Sequence, residues 1–311
     1  MKSGALKVCL KFKKSIMKKN NCLSIVFLFF LTLNNFIFSQ NSNLSGNNKI
    51  QLKGIIKEEE SNAPLPYVNI GILNKTVGTV SDSSGNYNLV FGKENLADTL
   101  QISLVGYFTK KMLLNELLNA YNKNICLTKK ITVLDEVVVK NKKTQSEILG
   151  KKITSKFMQV SIFNDTTSVE SVIGSEFGTK IKTKRRNAVL KNVNWYLTAN
   201  NFKTIKFRVN IYSVKNELPD ALLCNKEVFA TIQNYKTGWN EIDLERYNIP
   251  INGDFVITLQ WIDGEKNKTE KPMIMIPAGV ALSKNVFVKR ASQDKWIKMP
   301  FNLGCYVTVL Y

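Results

Sequence analysis

The chain has 311 residues, and its 44 basic and 24 acidic side chains give it a formal net charge of +20 at pH 7. Its length suits one or two domains, and a hydrophobic content of 44% is ordinary for a protein with a packed core. The chain contains no histidine, which excludes Ser-His-Asp and Cys-His catalytic arrangements and histidine-ligated zinc sites. Catalysis by carboxylates or by lysine stays open.

The basic surplus is spread beyond the N-terminus. Seven of the basic residues and none of the acidic ones lie within residues 1–40, so the rest of the chain still has a net charge of +13. Such a surplus favours anionic partners, and it fits equally well a lysine- and asparagine-rich composition. After residue 40 the cysteines are Cys126, Cys224 and Cys305, which are odd in number and far apart. This spacing predicts no disulfide framework and no metal site, and we expect no cofactor.

Residues 17–40 have the order of a secretory signal. Lys18 and Lys19 form a positive start, an apolar run follows, and small or polar residues close the segment. The run is interrupted by two asparagines and is shorter than the roughly 20 apolar residues of a membrane-spanning helix. We therefore predict an export signal over residues 1–40, with translation starting at Met1 or Met17.

From residue 49 the chain shows short runs in which apolar and polar residues alternate, the pattern of half-buried strands. The alternating apolar positions are Ile50 and Leu52; Val68, Ile70 and Ile72; Tyr87, Leu89 and Phe91; and Leu100, Ile102 and Leu104. A turn at residues 82–85 separates two of these runs. Asp82 can accept backbone N–H bonds there and Gly85 can adopt a positive φ. A short helix is predicted over residues 113–121.

These segments stand in a recognisable order: Gly54, PLPYVNI over residues 64–70, GTVSDSSGNY over 78–87 and ISLVGY over 102–107. The set resembles the carboxypeptidase-regulatory-like, transthyretin-like domain of Bacteroidota surface proteins. The resemblance extends over residues 49–139 and implies a seven-stranded β-sandwich without catalytic residues of its own. In that family the domain typically precedes another module, such as an outer-membrane transporter or a peptidase.

The end of this region is a candidate strand-addition segment, made of Leu134, Asp135, Glu136, Val137, Val138 and Val139. It is similar to the segment that follows this domain in TonB-dependent receptors, where an extended strand can be engaged by a periplasmic partner. The alternative is the last strand of the sandwich. We favour that alternative, because about 155 residues remain after residue 156, too few for a plug and a large barrel.

Residues 140–156 contain six lysines and one acid and are predicted to be a basic linker. Strand-like alternation then resumes over residues 157–311. Eight strands are predicted there, at residues 157–163, 193–198, 205–214, 227–233, 240–244, 254–262, 284–288 and 306–310. Many short strands at regular spacing indicate a second, jelly-roll-like β-sandwich, so the predicted fold class is all-β throughout. A small outer-membrane β-barrel is the alternative architecture.

Two sets of residues are candidate ligand sites. The four tryptophans, Trp195, Trp239, Trp261 and Trp296, could stack against sugar rings. Trp239 follows a glycine at a turn and is the best exposed candidate, since tryptophan in a strand is more often core. Lys184, Arg185 and Arg186 lie in the densest basic cluster, which could hold anionic glycans or lipid head groups or form a solvated loop.

The sequence thus predicts an exported, non-catalytic envelope protein with a binding or structural role, directed at a glycan or a surface. The expected partner is an envelope protein or a glycan; no nucleic acid is expected. Membrane association stays open, with no transmembrane helix in the mature chain. The predicted location is the periplasm, the outer membrane or the cell surface. Two alternatives remain: a small outer-membrane barrel protein with a periplasmic regulatory-like domain, and an accessory to a carboxylate-based secreted hydrolase.

Overall fold

The computed structural model describes residues 49–130, 145–161, 172–266 and 272–311. The predicted export signal and the candidate strand-addition segment at residues 134–139 lie outside the described residues. Strands dominate the described chain and enclose two separate apolar cores, one formed by residues 52–127 and the other by residues 172–309. No helix in these ranges combines the length and the apolar character needed to cross a membrane.

The first domain is a sandwich of two sheets, one of three and one of four strands. A six-residue helix, α1 (Leu114–Asn119), confirms the predicted short helix, and a 3-10 turn spans Lys93–Asn95. The seven strands are β1 (Lys49–Glu58), β2 (Asn69–Ile72), β3 (Gly78–Val80), β4 (Asn86–Gly92), β5 (Thr99–Ser103), β6 (Lys110–Leu113) and β7 (Ile125–Leu127). The strand orders of the two sheets are β4-β1-β7 and β3-β2-β5-β6. The predicted seven-stranded β-sandwich is therefore confirmed.

The turn between β3 and β4 has the predicted geometry. Asp82 Oδ1 accepts the backbone N–H groups of Ser84 at 2.8 Å and Asn86 at 2.9 Å, and Gly85 has φ +78°. Burial opposes ionisation of Asp82, but the hydrogen bonds from Asn86 and Ser84 outweigh it and lower the pKa of the carboxyl group. The turn thus depends on one carboxylate and one glycine.

The second domain is also built of β-sheets packed around one core, which confirms the all-β class. Its strands are β8 (Ser146–Lys151), β9 (Gln159–Ser161), β10 (Glu176–Ile181), β11 (Ala188–Leu197), β12 (Ala199–Asn200), β13 (Phe202–Lys215), β14 (Leu218–Leu222), β15 (Phe229–Gln233), β16 (Gly238–Asp243), β17 (Pro250–Ile251), β18 (Phe255–Lys266), β19 (Ile274–Val280), β20 (Val286–Lys289), β21 (Ile297–Met299), β22 (Phe301–Leu303) and β23 (Cys305–Leu310). A 3-10 turn spans Glu245–Tyr247.

Two large sheets carry this core. The seven-stranded sheet has the order β14-β13-β18-β10-β20-β21, with β15 also paired to β13, and the five-stranded sheet has the order β16-β11-β23-β8, with β17 also paired to β11. A smaller sheet, β12-β19-β22 with β9 beside β19, joins them. Side chains from the inner faces of both large sheets form one continuous apolar cluster.

The prediction of a linker over residues 140–156 is wrong for Ser146–Lys151. Strand β8 lies inside that range and pairs antiparallel with β23, from Ser146 opposite Leu310 to Lys151 opposite Cys305. Its exposed residues made it look like a linker, but β8 is an edge strand with only Leu149 directed at the core cluster. The second domain therefore begins before residue 157.

Candidate functional site

The outer face of the five-stranded sheet carries three aromatic side chains from three neighbouring strands. In the register, Tyr196 on β11 lies opposite Trp239 on β16, and Tyr306 on β23 lies opposite the residue two before Tyr196. The intervening side chains, Trp195 and Cys305, are fully buried in the core. Because successive residues of a strand point to opposite faces, the three rings share the face away from the core. We call them the aromatic cluster.

The Trp239 ring in the aromatic cluster is steeply inclined to both tyrosine rings, an arrangement that we call stepped. The Trp239 ring centroid lies 4.7 Å from that of Tyr306 and 5.1 Å from that of Tyr196, with interplanar angles of 71° and 80°. Such edge-to-face contacts are favourable because the positive edge of one ring meets the negative face of the next. All three side chains are half-buried, so part of each ring faces solvent.

Hydrogen-bonding and charged groups border the aromatic cluster. Asn194 donates to Asn192 Oδ1 at 3.3 Å, and Asn192 donates to the exposed Glu241 at 2.9 Å. The Lys152 ammonium lies 4.6 Å from the Tyr306 ring centroid, a cation–π distance. The face therefore combines ring surface with amide, carboxylate and ammonium groups, a mixture that suits a hydroxyl-rich ligand.

A groove adjoins this face on the other side of β16. It lies between the edge strands β15 and β16 and has a volume of about 590 Å³. Its lining is mainly polar and includes Thr231, Gln233, Asn240 and Arg246. Strand β16 contributes residues to both the groove and the aromatic cluster, but none of the three rings of the aromatic cluster lines the groove.

The structure separates the four tryptophans that we considered as a sugar-stacking platform. Trp195 and Trp261 are 0% exposed and pack inside the core. Trp296 packs on the outer face of the other large sheet, 5.6 Å from Tyr212 between ring centroids. Only Trp239 lies in the aromatic cluster, and its partners there are tyrosines rather than other tryptophans.

The basic residues lie far from Trp239. Lys184 and Arg186 are exposed and precede β11, whereas Trp239 pairs near the end of that strand. Arg185 is already engaged, with its guanidinium 2.6 Å from Glu147 and 3.6 Å from the Tyr311 ring centroid. The two sets of candidate residues therefore do not form a common site.

Most of the acidic side chains that could take part in carboxylate chemistry are dispersed, although Glu241 and Asp243 both line the groove beside β16. Asp254 accepts from Lys180 at 3.2 Å, Glu265 pairs with Lys203 at 3.1 Å, and Asp243 accepts the backbone N–H of the 3-10 turn that follows it. Within the described ranges, no three or more cysteine, aspartate or glutamate side chains are grouped to hold a metal ion. These carboxylates are used in local structural contacts.

Sequence reasoning missed one buried acid, Glu176 on β10. It is 3% exposed and accepts hydrogen bonds from Asn210 at 2.8 Å, from the Tyr212 hydroxyl at 2.9 Å and from Thr258. Burial, with the nearby Glu176 charge, raises the pKa of Tyr212 well above its usual value. The three donors to Glu176 come from β13 and β18, and only the folded sheet brings these two strands beside β10.

Comparison with known proteins places the first domain. Residues 52–139 match the family model of the CarboxypepD_reg-like domain. A TonB-dependent receptor of Formosa agariphila is 25% identical over 169 residues, which takes in 53% of this chain and 16% of the receptor. The chain thus spans about a sixth of the length of that curated relative.

Among solved structures, the cysteine protease and lectin-like domains of Cwp84, a surface layer associated protein of Clostridium difficile, align with a TM-score of 0.38 and 9% identity. That alignment covers 87% of this chain and 65% of the other. A clostridial Cwp84 cysteine protease after propeptide cleavage gives the same TM-score at 8% identity, over 90% of this chain and 75% of the other. These alignments are too weak to carry an argument.

The first domain of this chain, by its matched family model and its seven-stranded sandwich, belongs to the CarboxypepD_reg-like domain family.

Proposed function

We propose that this protein is a non-catalytic glycan-binding protein of the bacterial envelope, and that it holds its ligand on the aromatic cluster of the second domain. The observation that carries the proposal is the grouping of Tyr196, Trp239 and Tyr306 on one outer sheet face. Aromatic rings offer apolar surface to the C–H faces of sugar rings, while nearby amides and charges can bond hydroxyl groups.

The geometry of the rings favours a single glycan chain. A flat polysaccharide surface requires rings that lie in one plane, whereas Trp239 is inclined at 71° to Tyr306 and at 80° to Tyr196. A stepped set of rings fits a chain that can turn about its glycosidic bonds. The groove beside β16 provides polar groups along which such a chain could continue.

Envelope location is supported by a protein that is similar to about half of this chain. The similar protein from Formosa agariphila is a TonB-dependent receptor, a class of envelope protein. The predicted export signal is consistent with this placement. The similarity takes in only 16% of the receptor, so it supports the location and not a receptor activity.

The non-catalytic role is supported by the arrangement of acidic groups. Asp254 and Glu265 lie in ion pairs and Glu176 lies in an enclosed cluster. Glu241 and Asp243 both line the groove, but they lie two residues apart on the same strand, β16, rather than on facing walls. Glycoside hydrolysis by two carboxylates needs a facing pair at a separation of roughly 5–10 Å on either side of the scissile bond. A binding role requires only an exposed surface that can contact a sugar, and the aromatic cluster provides such a surface.

Binding can be tested with residues 41–311 on a glycan array that includes neutral, uronate-bearing and sulfated oligosaccharides, followed by calorimetry with the strongest hits. We expect Trp239→Ala to weaken binding by about 1–2 kcal/mol, which is roughly five- to thirty-fold in Kd. Loss of one ring face accounts for this magnitude.

The matched control is Tyr121→Ala, which removes a fully exposed aromatic ring from the first domain. It should leave affinity unchanged. No binding above background to any array glycan would refute the proposal, and so would equal affinities of the wild-type and Trp239→Ala proteins.

A further inference from the structure

The seven-stranded sheet of the second domain is covered on both faces. Along β13, Ile205, Phe207, Val209 and Ile211 enter the core, whereas the alternate residues point to the opposite face. An outward face would ordinarily be solvated, yet Arg208 and Asn210 are 2% and 6% exposed. The cover includes the first domain and the loop after β20.

Arg208 is the most buried cation of this contact. Within its own domain it donates to Glu227 at 2.5 Å and to Gln260 at 2.7 Å. It also reaches into the first domain, donating to Asn69 Oδ1 at 3.3 Å and to the carbonyl oxygen of Tyr67. Two acceptors of the first domain therefore help to satisfy a guanidinium that the second domain buries.

Asn69 is the corresponding group on the first domain. Its Oδ1 accepts from three donors of the second domain: Arg208 at 3.3 Å, Gln260 at 2.8 Å and Ser292 at 3.2 Å. The adjacent Tyr67 accepts from Lys206 at 2.7 Å and packs edge-to-face on Phe229 with ring centroids 5.2 Å apart. Polar and aromatic contacts thus lie side by side along one short segment.

Glycines set the close approach of the two domains. Gly71 and Gly78 lie opposite each other on β2 and β3. A Cβ atom would lie 2.1 Å from the Ser292 carbonyl oxygen at Gly71, and 2.6 Å from it at Gly78. Gly174, in the second domain, is equally tight, with a Cβ position 2.4 Å from Ser292 Oγ. A side chain larger than hydrogen at Gly71 or Gly78, on the β2–β3 hairpin, would push away the loop after β20 that contains Ser292.

The loop after β20 is also held by hydrogen bonds to the hairpin and its neighbouring strand. Gln293 accepts the backbone N–H of Asn74 at 2.9 Å, and its side chain accepts from Gln101 at 2.6 Å and donates to Ser103 at 2.8 Å. The loop after β20 and the first domain are therefore complementary in shape and in hydrogen-bonding groups, as residues in a packed protein interior are.

We infer that the two domains fold and unfold as one cooperative unit, in which the segment from Tyr67 to Gly78 is the structural cover of the second domain's seven-stranded sheet. Separated from that cover, the second domain would leave Arg208 with two fewer acceptors and expose a sheet face built for contact.

The positions of the tryptophans allow a direct test. All four lie in the second domain, so tryptophan fluorescence during urea unfolding reports that domain alone, whereas circular dichroism reports both. Leu89→Ala weakens only the core of the first domain, where Leu89 is 1% exposed. We expect this substitution to lower the urea midpoint of the fluorescence transition by the same amount as that of the dichroism transition.

The matched control is Val90→Ala, a neighbour on β4 that is 46% exposed and should move neither transition. If Leu89→Ala abolishes folding, the milder Leu89→Val serves in its place. A fluorescence midpoint that stays at the wild-type value while the dichroism signal shows an earlier transition would overturn the inference.

A second comparison tests whether the coupling runs through the named contacts. In a background carrying Asn69→Ala and Gly78→Val, Leu89→Ala should no longer move the fluorescence midpoint, because the two domains would then unfold separately. If the midpoint still follows the first-domain substitution in this background, the Asn69 and glycine contacts do not carry the coupling and the proposal fails.

Discussion

Replacing Arg208 by methionine should be among the most destabilising single changes in the second domain. Methionine keeps much of the side-chain volume but leaves the acceptors of Glu227, Gln260, Asn69 and Tyr67 without their donor. A lost neutral hydrogen bond costs about 0.5–1.5 kcal/mol and a lost charged one about 1.5–3 kcal/mol. With one charged and three neutral acceptors, these values sum to about 3–7.5 kcal/mol, which overlaps the roughly 3–5 kcal/mol for breaking a buried ion pair.

The assay is urea unfolding followed by tryptophan fluorescence at pH 7. Lys203→Met is the matched control, since its ion pair with Glu265 has side chains 60% and 63% exposed and should contribute less than about 1 kcal/mol. Combining Arg208→Met with Asn69→Ala should give less than the sum of the single losses, because both remove the same contact. A loss below about 1 kcal/mol for Arg208→Met would refute the reasoning.

Two further predictions concern backbone conformation and pH. Gly85 and Gly238 have φ of +78° and +79°, but a Cβ at Gly85 would lie 2.8 Å from the Ile56 carbonyl oxygen whereas the space around Gly238 is open. Gly85→Ala should therefore cost more than the roughly 1–2 kcal/mol of left-handed strain that Gly238→Ala alone incurs, and equal costs in thermal unfolding would contradict this. Because the pKa of Asp82 is lowered in the folded state, its stabilising contribution is complete above the unfolded value of about 4 and is lost as pH falls through the folded pKa. When the urea midpoint is measured at decreasing pH, it should fall less steeply for Asp82→Asn than for the wild type. Identical dependence on pH in the two proteins would show that the carboxylate in the turn does not contribute to stability.

Local alternation predicted some strands and missed others. The alternation of Ile205 to Ile211 correctly predicts β13, and that of Tyr87 to Phe91 predicts β4. In contrast, β10 was missed because Thr179 lies midway between the core residues Phe177 and Ile181 and interrupts the apolar alternation. Strand β19 was missed as well, and it contains Pro277, which ordinarily argues against a strand.

The candidate site was only partly visible in the sequence. Trp239 could be singled out because it follows a glycine at a turn, but nothing in the sequence places Tyr196 and Tyr306 beside it. Those residues are 43 and 67 positions away along the chain and meet through the pairing of β11 with β16 and β23. Strand order in an antiparallel sheet is set by long-range pairing, which local periodicity does not encode.

The sequence by itself determined the all-β class, the turn at Asp82 to Gly85 and the family of the first domain, because these depend on local alternation, on turn chemistry and on an ordered motif. Only the tertiary structure decided that the first domain covers a sheet of the second. The residues responsible, Arg208, Asn69 and Ser292, look like ordinary surface positions in their own segments. Their burial arises only where the faces of the two domains meet, so it is a property of the assembled chain.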